Sequence, residues 1–271
     1  MSSFLPEGYS EPFAEQQEFD THLSYISALR TLTDSANLTI NQRILPKPIP
    51  DLNKKKNLID LTIKSLNDEY EIVKRDADYS YASMSWLPIK SYYLLFNILL
   101  TIEYLIKVDS SIFSIGHQKC IEEYTRKLRD KELEFDVPIL SKVFDRSIFA
   151  LKYSPGLQLS NKTDIDLKFN MLIKKASLYK LDTWKRQQKI NNFRNKSSRE
   201  KKDQYLNSFT ISIFEFSYYM RIRCNYRDMA FIENVSKNDT KKYFEEYMGF
   251  TKNMCRILLS LRKTIACGRL K

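Results

Sequence analysis

Glycine is nearly missing from this chain: Gly8, Gly116, Gly156, Gly249 and Gly268 are the only five in 271 residues, and the closest pair, Gly249 and Gly268, is 19 positions apart. Loops that cradle phosphates on backbone N–H groups need clustered glycines, because only glycine takes the left-handed backbone freely and lets a ligand reach the main chain. The dinucleotide fingerprint, the P-loop and the G-x-S-x-G nucleophile elbow are therefore excluded. Turn-dense β architectures fit poorly for the same reason, and 43% hydrophobic with 28% charged residues argues against disorder. What remains is a helical protein long enough to bury a sizeable core.

Helices are predicted at 13–33, 54–80, 80–107, 117–134, 138–152, 165–182, 184–206, 208–234 and 240–264. Pro88 should break or kink the third of these, LPKPIPD (45–51) cannot continue a helix, SPG (154–156) is a turn, and VSKND (235–239) separates the last two. Phe209, Ile213, Phe216, Met220 and Cys224 recur at helical spacing, as do Met254, Leu258, Leu261 and Ile265, so each set reads as a core stripe. The run SYYLLFNILLTIEYLI (91–106) is apolar on almost every side. Interrupted by Asn97 and Glu103, and too short to span a bilayer comfortably, it reads as the centre of a bundle. Segment 37–50 is a Pro-interrupted connector that can be extended. The expected architecture is an all-α helical bundle, in which residues 1–52 form an acidic N-terminal extension of a helix and a Pro-rich connector and residues 53–271 form the bundle domain.

The net charge of +11 comes from 44 Lys and Arg against 33 Asp and Glu, and it is concentrated. Between Lys168 and Lys202 twelve bases, among them Lys185, Arg186, Lys189, Arg194, Lys196 and Arg199, face only Asp182 and Glu200, a local +10. Residues 1–36 carry six acids against Arg30. A basic half of this density points to a polyanionic partner held through its phosphates, or else to a solvated helical face. NNFRNKSSREKK (191–202) has the composition of an exposed loop or frayed helix. Trp184, Phe193 and Tyr205, interleaved with these bases, either stack on nucleobases or pack a core.

Cys120, Cys224, Cys255 and Cys267 match no disulfide framework or zinc pair, and MSSFLPEGYSEPF has neither the basic nor the apolar segment of a secretory signal. Reduced thiols, a cytoplasmic address and no membrane partner are expected. His22 and His117, the only histidines, have no Cys or second His at ligand spacing, so neither a metal nor a cofactor is expected.

One helix stands out. In SYYMRIRCNYRDMAFIE (217–233), Phe214, Tyr218, Arg221, Asn225 and Asp228 share a stripe beside the apolar one. A planar guanidinium in line with an amide is suited to phosphate or ribose, with Asp228 able to orient Arg221 or Arg227. The same groups can instead close a helix interface.

YSYASMSWLPIKSYYLLFNILLTIEYLI (79–106), SIGHQKCIEEY (114–124) and RIRCNYRD (221–228) together resemble the HEPN superfamily (higher eukaryotes and prokaryotes nucleotide-binding domain) over about residues 54–265. The resemblance implies a helical bundle of toxins and antiphage systems that binds or cleaves RNA without a metal, as a homodimer or with a partner that brings two such helices together. It assigns Arg221, Asn225, Tyr226 and Asp228 to a catalytic site, and Arg223, Arg227, Lys185, Arg186, Lys189, Arg194, Lys196 and Arg199 to nucleic-acid binding. Active members carry Arg, a short spacer and then His; here Asn225, Tyr226 and Arg227 follow the arginines and no His occurs after His117. The imidazole needed near neutral pH has to come from His117 on another helix, or be replaced by Tyr226 with a depressed pKa. Without it, the bundle is a non-catalytic subunit or adaptor of a larger assembly.

Overall fold

The computed structural model describes residues 15–41, 52–137, 141–143, 162–207, 210–226 and 237–269. They form α1 (Glu15–Asp34), α2 (Asn53–Val73), α3 (Ala77–Ser83), α4 (Leu87–Lys107), α5 (His117–Arg129), α6 (Lys162–Gln187), α7 (Lys196–Asn207), α8 (Ile213–Tyr226) and α9 (Lys237–Arg269), with a 3-10 turn at Ser110–Ser114. Two short antiparallel ribbons complete the set, β1 (Leu38–Ile40) with β2 (Leu133–Phe135) and β3 (Ser141–Val143) with β4 (Thr210–Ser212). With about 80% of the described residues helical, the class is all-α.

Helix starts follow local chemistry. Asp76 accepts the backbone N–H groups of Asp78 and Tyr79 at 2.9 and 3.1 Å and so caps α3. Pro88 divides the expected 80–107 helix from what precedes it and sits in the first turn of α4, where its missing N–H costs nothing. Asn195 caps α7, accepting from the Ser198 N–H at 2.7 Å. Residues 196–202 of the expected loop or frayed helix are thus part of a regular helix.

Two helix ends differ from expectation for one shared reason. The 117–134 helix stops at Arg129 because Lys131 takes a left-handed backbone (φ 57°), its N–H bonding Leu128 O while the next N–H, of Glu132, reaches back to Lys127 O. Lys189 (φ 53°) repeats this geometry, its N–H bonding Arg186 O while Ile190 N–H bonds Lys185 O, and it separates α6 from α7. Glycine normally fills this C-terminal position; here lysine does.

Residues expected in helices are in strands instead at 133–134, within the strand 133–135, and at 141–143 and 210–212. In the first ribbon Leu38 faces Phe135 and Ile40 faces Leu133, while Thr39 and Glu134 point to solvent, so the pairing holds an alternation too short to register in the sequence. LPKPIPD, SPG, Phe209 and the remainder of 138–152 lie outside the described residues.

α4 is the centre. By length and composition it could cross a membrane, yet 72% of its most apolar window is buried inside this protein, against α2, α5, α8 and α9. The stripe Met254, Leu258, Leu261 and Ile265 of α9 is almost fully buried, as are Ile213, Phe216 and Met220 of α8. α1 belongs to the same core through Leu23, Ile26, Ala28, Leu29 and Leu32. Its C-terminus is closed by α9: Arg256 donates to the carbonyls of Thr33, Asp34 and Ala36 at 2.8–3.0 Å, which satisfies acceptors a helix end leaves open. Gly249 lets Arg30 lie across α9 to reach Glu246 at 3.0 Å; a Cβ there would sit 2.5 Å from the Arg30 Nε.

Polar groups inside the bundle are paired across elements. Glu103 of α4 meets Lys127 of α5 at 2.5 Å, both nearly inaccessible, with the Lys127 ammonium over the Tyr124 ring. Ser91 accepts from Thr251 at 3.0 Å, and Ser80 and Thr240 lie 2.9 Å apart. Removing one partner of a buried ion pair strands the other. Glu103→Leu alone should therefore lower the unfolding free energy by about 3–5 kcal/mol in urea titrations, and adding Lys127→Met should restore most of it.

Candidate functional site

Three aromatic residues of α4 build the site from within. Tyr92 and Phe96 are buried and Tyr93 is 38% exposed, so this face of the central helix reaches the surface at Tyr93. His117, the first residue of α5, packs its ring on them, with centroids 4.3 Å from Phe96 and 5.5 Å from both Tyr92 and Tyr93. From α8, Tyr218 touches Tyr92 (5.8 Å) and Arg221 spreads its guanidinium over the rings of Tyr92 and Tyr93 at 5.5 and 5.3 Å. One Arg221 nitrogen donates to the Tyr93 hydroxyl at 3.2 Å. Its Nε is buried and has no hydrogen-bond partner among the described residues, and no carboxylate there neutralises its charge.

The electrostatics follow from this crowding. Burial and the nearby Arg221 charge hold His117 below its ordinary pKa, so the ring is neutral near pH 7. Burial raises Tyr92 far above the usual phenol range, which keeps its hydroxyl protonated. That hydroxyl and His117 Nδ1 share a hydrogen bond at 3.0 Å; with the hydroxyl as donor, the proton of the neutral ring sits on Nε2. A half-buried guanidinium with no ion pair among the described residues, beside a neutral imidazole, is a place where an anion gains from both, because binding it stabilises the imidazolium as well.

The structure brings His117 to Arg221, a pairing the sequence offers only as an alternative, and adds Tyr92 and Tyr93, which it did not single out. Phe214, Tyr218 and Arg221 do share one stripe, facing α4 and α5, with Phe214 against Tyr124 and Phe135. Arg223, Asn225 and Tyr226 lie in the last turn of α8, their side chains outside the described residues, as are Arg227 and Asp228 altogether.

The basic residues sit on the α6–α7 hairpin. Trp184 and Tyr205 stack face to face between the two helices, 4.5 Å apart and 8° from parallel, and Lys185 and Lys202 flank the Phe193 ring at 5.8 and 5.1 Å. Arg186 pairs with Asp182 at 2.9 Å and Lys196 with Glu200 at 3.9 Å, both in the open, where such pairs contribute little. Lys189, Arg194 and Arg199 are exposed and make no ion pair among the described residues.

Between this hairpin, α5 and α8 runs a cleft of about 390 Å³. Trp184, Tyr205, Thr183 and Lys180 line it from the hairpin, Glu215, Tyr218 and Tyr219 from α8. Tyr218 also touches Tyr92, so the cleft adjoins the His117–Arg221 cluster. Glu215 is buried and paired with Lys180; burial pushes its carboxyl up against the pull of that ammonium. Among the described residues no group of three or more His, Cys, Asp or Glu is placed to hold a metal ion.

No family model, curated protein or solved structure matches this chain.

Since His117 has a lower pKa folded than unfolded, protonation favours the unfolded chain. Its contribution to stability is complete above the unfolded value and is lost as the pH falls from there through the lower folded value. Replacing it by His117→Gln should make the melting temperature less sensitive to acid between about pH 7 and 5, as scanning calorimetry would show.

Proposed function

We propose that this chain is an RNA-binding and RNA-cleaving effector of the HEPN type, working in toxin or antiphage defence and independent of metal. The convergence of Arg221 and His117 from separate helices onto one aromatic platform carries the reading: a guanidinium without an ion pair among the described residues and a neutral imidazole are the groups that hold a phosphate and exchange a proton beside it. His117 takes the part that the motif histidine plays in the resemblance. Arg221, helped by Arg223 and Arg227, holds the scissile phosphate, Asn225 orients it and Asp228 fixes the arginines. With His117 in that part, Tyr226 is not needed as the base. Lys185, Arg186, Lys189, Arg194, Lys196 and Arg199 hold the flanking strand. A second copy, or a partner subunit, brings a second α8 to the site.

Total tRNA incubated with the protein, with and without EDTA, tests this. Discrete fragments in both conditions are expected, falling by about a hundredfold or more in Arg221→Ala and His117→Ala. RNA that is retarded on a gel but intact would instead make the chain a non-catalytic RNA-binding subunit, and no interaction would overturn the reading. In filter binding, Arg194→Ala and Arg199→Ala should each flatten the log–log dependence of affinity on salt by about 0.7, the value of one phosphate contact on a single strand.

A further inference from the structure

We infer that the cleft between α5, the α6–α7 hairpin and α8 is a pocket for one unpaired nucleobase. The inference rests on the proposed RNA function for its source, a nucleotide within a strand rather than a free one.

Four observations converge. The volume, about 390 Å³, lies in the range of small-molecule sites and is too small for a duplex. Its walls are aromatic: Trp184 and Tyr205 are already stacked at 4.5 Å and 8°, and Tyr218 and Tyr219 stand on the α8 side. A base added to such rings is held by its π-face whatever its identity. The walls also carry polar groups suited to a base edge. Thr183 Oγ1 is buried with no hydrogen-bond partner among the described residues, a cost that a bound donor or acceptor would remove. Glu215, 2% exposed, accepts the Ser212 N–H on one oxygen and the Lys180 ammonium on the other, and each carboxylate oxygen keeps a lone pair for an exocyclic amine. Finally, the cleft is placed for it. Exposed Lys189, Arg194 and Arg199 lie on the hairpin that forms one wall, and Tyr218 on the other wall touches the Tyr92 that holds His117. A strand bound along the hairpin would lower one base into the cleft and bring a neighbouring phosphate to Arg221.

The chain contains two tryptophans, Trp86, 57% exposed at the start of α4, and Trp184 in the cleft. In a Trp86→Phe protein, Trp184 is the only indole emitter. A single-stranded RNA 10-mer should quench its emission, a fully paired duplex of the same sequence should not, and nucleoside monophosphates should do so only at far higher concentration. Thr183→Val should weaken the single-strand affinity about fivefold without lowering the melting temperature, because the hydroxyl it removes has no hydrogen-bond partner among the described residues. If the 10-mer is retarded on a gel yet leaves Trp184 emission unmoved and binds Thr183→Val equally well, the pocket is overturned and the RNA function stands. Equal quenching by the duplex also overturns it. Quenching by monophosphates without retardation of any RNA would keep the nucleobase pocket and remove the RNA function.

Discussion

Fifteen of the 21 residues of α4 are buried, a narrow stripe through Lys90, Tyr93, Asn97, Tyr104 and Lys107 stays partly accessible, and a helix so apolar has to be enclosed by its neighbours. Its enclosure dictates where α2, α5, α8 and α9 lie, and the few polar groups it carries dictate in which register. Each finds its partner on a neighbouring helix: Glu103 takes Lys127 of α5, Tyr92 takes His117 at the head of α5, and Ser91 takes Thr251 of α9. A slip of α5 or α9 along α4 would leave one of these groups buried and unpaired, at more cost than most apolar contacts could offset. The candidate site is a product of the same enclosure, for Tyr93, next to the buried Tyr92, is where the helix comes to the surface and where α5 and α8 meet.

That dependence explains which parts of the structure are legible in the sequence. Long periodic segments are, because burial writes the same stripe many times over: Met254, Leu258, Leu261 and Ile265, or the unbroken apolar run of α4. Pro88 marks the head of α4 because proline excludes the alternatives. The helix stops at Lys131 and Lys189 are not legible. Their left-handed backbone is normally announced by glycine, and a chain with five glycines uses lysine in its place. The three-residue strands are hidden too, since what makes 133–135 extended is its partner at 38–40, some 95 positions away in sequence.

The site divides along the same line. Arg221 is visible as an arginine in an apolar helix, and its stripe with Phe214 and Tyr218 does form one face. Its meeting with His117 is a tertiary fact, made by Tyr92 and Tyr93, which look in the sequence like ordinary core aromatics. The same holds for Trp184 and Tyr205, whose stacking closes the hairpin and whose other neighbours are the cleft and its buried Lys180–Glu215 pair. Charge density locates the basic hairpin; only the packing shows that its wall leads to Arg221.

The central claim is that Arg221 and His117 act on one phosphate. With two histidines in the chain, the imidazole C–H signals can be followed by NMR through a pH titration, and a His22→Gln variant identifies His117. In the free protein His117 should titrate below its ordinary value; short single-stranded RNA should raise it, and Arg221→Gln should abolish most of that rise. A His117 titration that bound RNA leaves unmoved would contradict the claim.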